Sequence, residues 1–368
     1  MIINLKSENE LSGFYIVYEG STNLENKGNF GISHLMEHLF CKNFDHLLDD
    51  FDRDGISWNA YTDTNLINFY FTGLESKLSK YREKIIELIS NFNVTKEQFE
   101  IERNIVLSEY EDVFNDQSQS HYLNLYRKLF NDYDPIGLRE DLEKLTFIDC
   151  LNFYEKQYMN PSKVINVSKN FKFKSNDIDF INRDIVKNLN YGKHDVPLEL
   201  GNQFKDKTSV MLLSPVVNEN WNYVNFINAM LSMGLKSPLY SEIREKLGLV
   251  YFIHCYQSRM NKDGLVNIST LTNNRNVNQL LDGIKKVLKN KDKIFTKERF
   301  NIVKDYYSIR KQKEEILRYD NINSHLLPDG WSTYDILDKV KIKDLLDIYD
   351  QYYNFDNFYI SSDKKEFK

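Results

Sequence analysis

Alanine is almost absent: the 368 residues contain it only at Ala60 and Ala229. Asn, Lys, Ile, Asp, Tyr and Phe abound instead, a pattern of AT-rich coding bias rather than of chemistry. The survival of Ala60 in the segment WNAYT therefore singles that segment out. Cysteine is scarce and odd in number. Cys41, Cys150 and Cys255 are too scattered for a disulfide framework or a CxxC zinc knuckle. Long apolar runs are missing too, and none approaches the roughly 20 residues that a membrane span needs. The N-terminal MIINLKSENELSGFYIVYEG lacks a basic start followed by an apolar stretch, so it is read as alternating strand rather than a signal peptide. Nor is there any basic excess. A net charge of −6 argues against a nucleic-acid-binding surface. These absences leave the expectation of a soluble, cytoplasmic protein. At 41% hydrophobic content the chain can bury a sizeable core, with room for two or three domains.

What the sequence does contain is a repeat of itself. TKEQFEIERN begins at Thr95 and TKERFNIVKD at Thr296; EKLTFIDCLNFYEKQY begins at Glu143 and DKVKIKDLLDIYDQYY at Asp338. The two pairs have nearly the same offset, and one small deletion in the second half reconciles them. In each half an apolar-periodic helix leads into TKE(Q/R)F, with Thr as N-cap and Glu in the first turn. A long charged helix follows, then a helix ending in aromatic-rich text, then a closing strand, VINVSKN or FYISSDK. Further strands are predicted at GFYIVYEG, around a turn in SWNAYTDTNLINFYFTG, and at SVMLLSPVV, LVYFIHCYQSR and GLVNISTLT. One or two helices ended by Gly55 are predicted over residues 31–55, and others at NYVNFINAMLSM and SPLYSEIREKLG, the last stopped by Gly248. The fold class expected is α+β, with two homologous halves, each a mostly antiparallel sheet packed with helices on one side. The boundaries fall at residues 1–190 and 202–368, joined by a polar linker over 191–201 that contains Pro197.

The stretch SHLMEHLF raises a chemical question. His34 and His38 are four apart, so on a helix they share one face, and Glu37 lies on the same side. This is either an accident of a helix surface or a metal site with a built-in base. Two imidazoles at this spacing can ligate one Zn²⁺ at about 2.0–2.1 Å each, and the order is the inverse of His-Glu-x-x-His. A carboxylate one turn away can take a proton from water and return it to a leaving amine. A third ligand must come from elsewhere. In IERNIVLSEYEDVF, Glu102 and Glu109 are two helical turns apart on nearly one face, whereas Glu111 points away. The corresponding positions of the second half hold Val303 and Arg310, and that half has no His-x-x-Glu-His, which fits a single site in the first half.

The chain resembles the pitrilysin/insulysin family of inverzincin metallopeptidases, and in layout its short members of the mitochondrial-processing-peptidase type. EGSTNLENKGNFGISHLMEHLF, DRDGISWNAYTDTNLINFYF, IERNIVLSEYED, EKLTFIDCLNFYEKQYMNP and SPLYSEIREKLGLVYFI each resemble a family segment in family order. The resemblance implies a zinc endopeptidase acting on short or unfolded polypeptides inside a closed chamber formed by clamshell halves. It makes His34, His38 and Glu109 the ligands of one Zn²⁺ per chain, Glu37 the general base, and Glu102 an accessory carboxylate. It places Asn59 and Ala60 on an edge strand that pairs with substrate, and brings Arg244 and Tyr251 to the substrate and the oxyanion. It also implies a dimer, with itself or with a related subunit. The alternative function is a catalytically silent structural or substrate-holding subunit. The second half departs from the family in having only GLKSPLY where a glycine-rich loop is usual.

Overall fold

The computed structural model describes residues 1–130, 134–175, 178–181, 206–260, 263–317, 336–363 and 366–367. The expected linker over 191–201 lies outside the described residues. The chain forms two compact units. One holds Met1–Val113, Tyr126–Leu198 and Ile316–Ile322; the other holds Phe114–Leu125, Glu199–Glu315 and Asn323–Lys368.

The first sheet has the order β1-β5-β2-β4-β3, from β1 (Ile2–Lys6), β2 (Leu11–Glu19), β3 (Ser57–Thr62), β4 (Leu66–Leu74) and β5 (Lys163–Ser168). β2 pairs antiparallel with both β4 and β5, β3 pairs antiparallel with β4, and β1 alone is parallel, to β5. The second sheet has the order β10-β9-β6-β8-β7, from β6 (Lys207–Val217), β7 (Val250–Met260), β8 (Asp263–Asn273), β9 (Tyr359–Ser362) and the two-residue β10 (Glu366–Phe367). Leaving out the outermost β1 and β10, the two orders are the same, and each pairing has the same antiparallel sense. The duplication read from short sequence matches is therefore a duplication of topology.

The helices that bear on the site are α1 (Ile32–Asn43), α2 (Leu48–Asp54), α3 (Lys96–Asn115) and α4 (Gln117–Phe130). Gly55 ends α2 in the left-handed region at φ 66°, as a C-terminal glycine should. The turn between β3 and β4 forms because the Asp63 carboxylate accepts the N–H groups of Asn65 and Leu66 at 2.6 and 3.0 Å. Thr95 caps α3 reciprocally with Gln98: its hydroxyl accepts the Gln98 N–H at 3.2 Å, and Gln98 Oε1 accepts the Thr95 N–H at 2.9 Å. Thr296 likewise accepts the Arg299 N–H at 3.0 Å.

α1 is amphipathic in the plainest sense. Ile32, Leu35, Met36, Leu39, Phe40 and Asn43 are buried at helical spacing. Phe40 stacks on Tyr18 of β2 with ring centroids 5.4 Å apart and meets Phe69 of β4 edge-on at 5.4 Å. That apolar seat fixes the rotation of α1 on the sheet, and residues 34, 37 and 38 consequently project from the opposite side.

The first part of α4 belongs to the second unit. Gln117 Nε2 donates to the Lys207 carbonyl at 2.9 Å, and the ring nitrogens of His121 lie 2.9 and 3.0 Å from the hydroxyls of Ser209 and Ser361. His121 is thus a buried structural residue, and burial pushes its pKa down to about 4.

Candidate metal centre

α1 and α3 together build the site. His34 Nε2 and His38 Nε2 lie 3.5 and 3.6 Å from Glu109 Oε2. The donor atoms of these three residues all lie within 4.8 Å of one another, and among the described residues no other group of three or more His, Cys, Asp or Glu side chains gathers in this way. Tetrahedral donors at the usual zinc bond lengths stand about 3.4 Å apart. The two separations to Glu109 Oε2 therefore match the spacing a single ion requires. Two imidazoles on the face of α1 turned away from the core and one carboxylate from α3 are a suitable donor set for Zn²⁺.

The tautomer of His38 also fits. His38 Nδ1 lies 3.1 Å from Glu102 Oε2, a carboxylate whose side chain is only 6% exposed. A carboxylate can only accept, so Nδ1 donates to Glu102, which leaves Nε2, on the side of Glu109, as the nitrogen that would ligate an ion. Lys42, one turn further along α1, lies 3.2 Å from the other Glu102 oxygen and offsets the charge that burial would otherwise strand. The residue missed in the sequence here is Lys42. Its only signal is the i+4 spacing from His38, which any surface lysine could show.

His34 is held neutral. Burial first, and the neighbouring His38 second, push its pKa down to about 3, so no proton has to leave before it can ligate at neutral pH. The folded-state pKa lies below the ordinary value of 6.5, so the folded protein binds fewer protons than the unfolded chain. Stability from this group is complete above pH 6.5 and declines as pH falls toward 3. The metal-free protein is expected to show a falling urea midpoint across that window, and His34→Gln a shallower fall.

Glu37 projects from α1 toward the end of β3, where Thr62 Oγ1 donates to Glu37 Oε2 at 2.5 Å. Burial raises the pKa of this carboxyl, with Glu109 adding to the rise, while Thr62 and His38 pull it back. A carboxyl whose pKa is raised in this way is suited to taking up and handing on a proton. Thr62 was the second residue missed. It sits in the WNAYT segment, but nothing in the sequence says that its hydroxyl reaches a glutamate 25 positions away.

Asn59 and Ala60 lie on β3, the terminal strand of the first sheet among the described residues. Asn59 is exposed, and its side-chain oxygen accepts the Ala60 N–H at 2.8 Å. Arg244 and Tyr251 lie in the second unit. Residues 240–246, expected as an ordinary helix, form a π-helical turn that ends before Gly248 at φ 63°. The Arg244 guanidinium stands over the Tyr251 ring at 5.1 Å and has Glu245 at 3.5 Å. Tyr251 is no strand-core residue: it is 80% exposed, at a register shift between Val250 and Ile253 of β7. His254 is exposed, as expected of an unpaired histidine, and His194 and His325 lie outside the described residues.

In the second half, Val303, the counterpart of Glu102, is fully buried in an apolar core with Phe226 and Tyr307. No helix among the described residues is long and apolar enough to cross a membrane.

Comparison with known proteins also divides the chain into two matched stretches. A family profile described as "Insulinase (Peptidase family M16)" matches residues 13–135, and one described as "Peptidase M16 inactive domain" matches residues 190–307. A Rickettsia felis protein described as an "uncharacterized zinc protease" is 24% identical over 353 residues, covering 88% of this chain and 85% of its own. The crystal structure of a protease from Helicobacter pylori superposes with a TM-score of 0.78 at 16% identity, covering 98% of this chain and 96% of its own. A peptidase M16 inactive domain from Pseudomonas fluorescens superposes with a TM-score of 0.72 at 14% identity, covering 98% and 94%. These two likenesses concern the fold. With both profiles matched in succession, one on each half, the chain belongs to the M16 peptidase superfamily, the insulinase and pitrilysin group.

Proposed function

We propose that the chain is a zinc-dependent endopeptidase, with residues 1–190 as its catalytic domain and 202–368 as a metal-free domain that completes substrate binding. The observation that supports this reading best is the meeting of His34 Nε2, His38 Nε2 and Glu109 Oε2 beside a half-buried, hydrogen-bonded Glu37. What a zinc ion supplies when bound there is Lewis acidity toward water and toward the scissile carbonyl. The rest is done by the protein. Glu37 takes the proton of the attacking water and returns it to the departing amine, and Thr62 keeps its carboxylate aimed. Glu102 holds the His38 ring in the tautomer and orientation that ligation needs.

The substrate is an extended peptide, short or unfolded. The free side of β3 at Asn59 and Ala60 pairs with such a strand once the Asn59 side chain, which accepts the Ala60 N–H, gives way to it. Arg244 and Tyr251 contribute donors to the substrate and to the oxyanion of the tetrahedral intermediate. An exposed phenol stacked on a guanidinium is available for that role, and donors of this kind act mainly in the transition state. Tyr251→Phe is therefore expected to lower kcat on the order of a hundredfold with little change in KM. Steady-state kinetics on one fluorogenic peptide checks this, and a large rise in KM at constant kcat would assign Tyr251 to simple binding. The protein works in the cytoplasm as a pair, with a second copy or a related subunit, around a closed chamber.

The direct experiment is cleavage of an unstructured peptide library by zinc-loaded protein, by chelator-stripped protein, and by stripped protein given zinc again. Hydrolysis is expected in the first and third samples only. Zinc uptake without any hydrolysis would instead identify a silent, substrate-holding subunit.

A further inference from the structure

We infer that Glu25 is a positioning residue for the metal, holding the first turn of α1 so that His34 reaches the ion; this rests on the metal-site reading above. Nothing in the His-x-x-Glu-His pattern points to it. Glu25 follows a short 3₁₀ turn, Ser21–Leu24, and lies several residues before the helix it serves. Its side chain is buried, with the whole residue 5% exposed. One carboxylate oxygen accepts the Gly31 N–H at 2.9 Å, and the other accepts the Ser33 N–H at 2.8 Å.

Those two donors are among the unpaired N–H groups that every helix leaves at its start. α1 needs an outside acceptor because its own N-cap residue is Gly31, at φ 96°, which has no side chain to offer. A helix end without a cap frays within its first turn. In α1 that turn contains Ser33 and, immediately after it, His34. Fraying there would swing a metal ligand, whereas in most helices it would disturb only solvent-facing residues. A carboxylate also complements the positive end of the helix dipole, so Glu25 joins geometric and electrostatic fit at one point.

The surroundings hold that turn, and the loop leading into it, from other directions. Asp141 Oδ2 accepts the N–H groups of Gly28 and Phe30, both at 3.1 Å. Tyr158 donates its hydroxyl hydrogen to Ser33 Oγ at 3.2 Å. Gly31 itself is wedged against Gly137, where an added Cβ would come within 2.3 Å of the Gly31 Cα. The approach to α1 is therefore a braced loop, in which Glu25 grips the helix backbone on both sides of Ile32, whose own N–H goes to the Asn29 carbonyl at 3.1 Å. Such second-sphere contacts typically govern metal affinity by tenfold to a hundredfold.

Metal affinity, measured by competition with a chromogenic chelator, tests this without reference to catalysis. Glu25→Gln keeps the shape but replaces one acceptor oxygen with a donor that meets an N–H head-on. It is expected to bind zinc tenfold to a hundredfold more weakly while remaining folded by circular dichroism. Peptide hydrolysis by this variant should return to the wild-type kcat at saturating zinc, unlike that of a variant of the base. Asp141→Ala, which loosens the same loop one step further out, is expected to weaken zinc binding in the same direction by a smaller factor. Wild-type zinc affinity in folded Glu25→Gln would overturn the inference. If Glu25→Gln fails to fold, Asp141→Ala decides, and unchanged affinity there overturns it. A wild-type protein that binds zinc but cleaves nothing would refute the peptidase reading and leave the role of Glu25 standing on the affinity data.

Discussion

Glu37→Gln is expected to lose peptide hydrolysis by about 10²–10⁴-fold while still binding one zinc per chain. The size follows from the role. An amide has no basic oxygen pair and cannot accept the proton of the attacking water, so the step for which the side chain is placed is removed outright. The metal is spared because Glu37 is not among the three converging donors. Folding should also be spared. Glutamine is isosteric, its amide oxygen can still accept from Thr62, and removing a half-buried carboxyl whose pKa is raised relieves a desolvation cost. The measurement is a pair: zinc content by mass spectrometry and kcat/KM on a peptide the wild type cleaves. Activity near the wild-type level would remove Glu37 from the mechanism.

The second large effect concerns Glu109. Glu109→Gln is expected to weaken zinc binding by at least about a hundredfold, with little change in thermal stability of the metal-free protein. The contrast arises because the Glu109 side chain is 44% exposed, so the fold does not depend on it, yet its Oε2 is the atom on which both imidazoles converge. Glu102 provides the internal comparison. Its side chain is 6% exposed and already engaged by His38 and Lys42, so its removal should disturb stability as well as metal affinity. Chelator competition and denaturant titration on the two variants separate a ligand from a supporting carboxylate. A Glu109→Gln protein that keeps its zinc would mean that the third ligand lies elsewhere.

How much of this was legible in the sequence depends on the distance over which each contact acts. His34, Glu37 and His38 were readable because helical periodicity relates near neighbours, and the apolar residues 32, 35, 36, 39 and 40 fix which side of α1 faces the core. Glu109 was readable only as a spacing from Glu102; that α3 brings it to α1 is a tertiary fact. The duplication was readable because the chain spells its elements twice, but the order of strands within each sheet was not. Thr62 to Glu37, Lys42 to Glu102 and Glu25 to Gly31 were not, since each depends on side-chain reach across a turn or between elements and leaves no periodic trace. Local propensity also could not separate the π-helical turn at 240–246 from an ordinary helix, or foresee the irregularity that exposes Tyr251, because both rest on packing within the second unit. The parallel pairing of β1 with β5 was equally hidden, since alternation predicts a strand but not its neighbour.

The central claim is that one metal ion is gripped by side chains from α1 and α3. Anomalous diffraction at the zinc absorption edge, from crystals grown with zinc, tests it most directly. The account predicts one strong peak in each chain, within bonding distance of His34 Nε2, His38 Nε2 and Glu109 Oε2. A peak held by other residues, or none at this position in zinc-saturated protein, would contradict it.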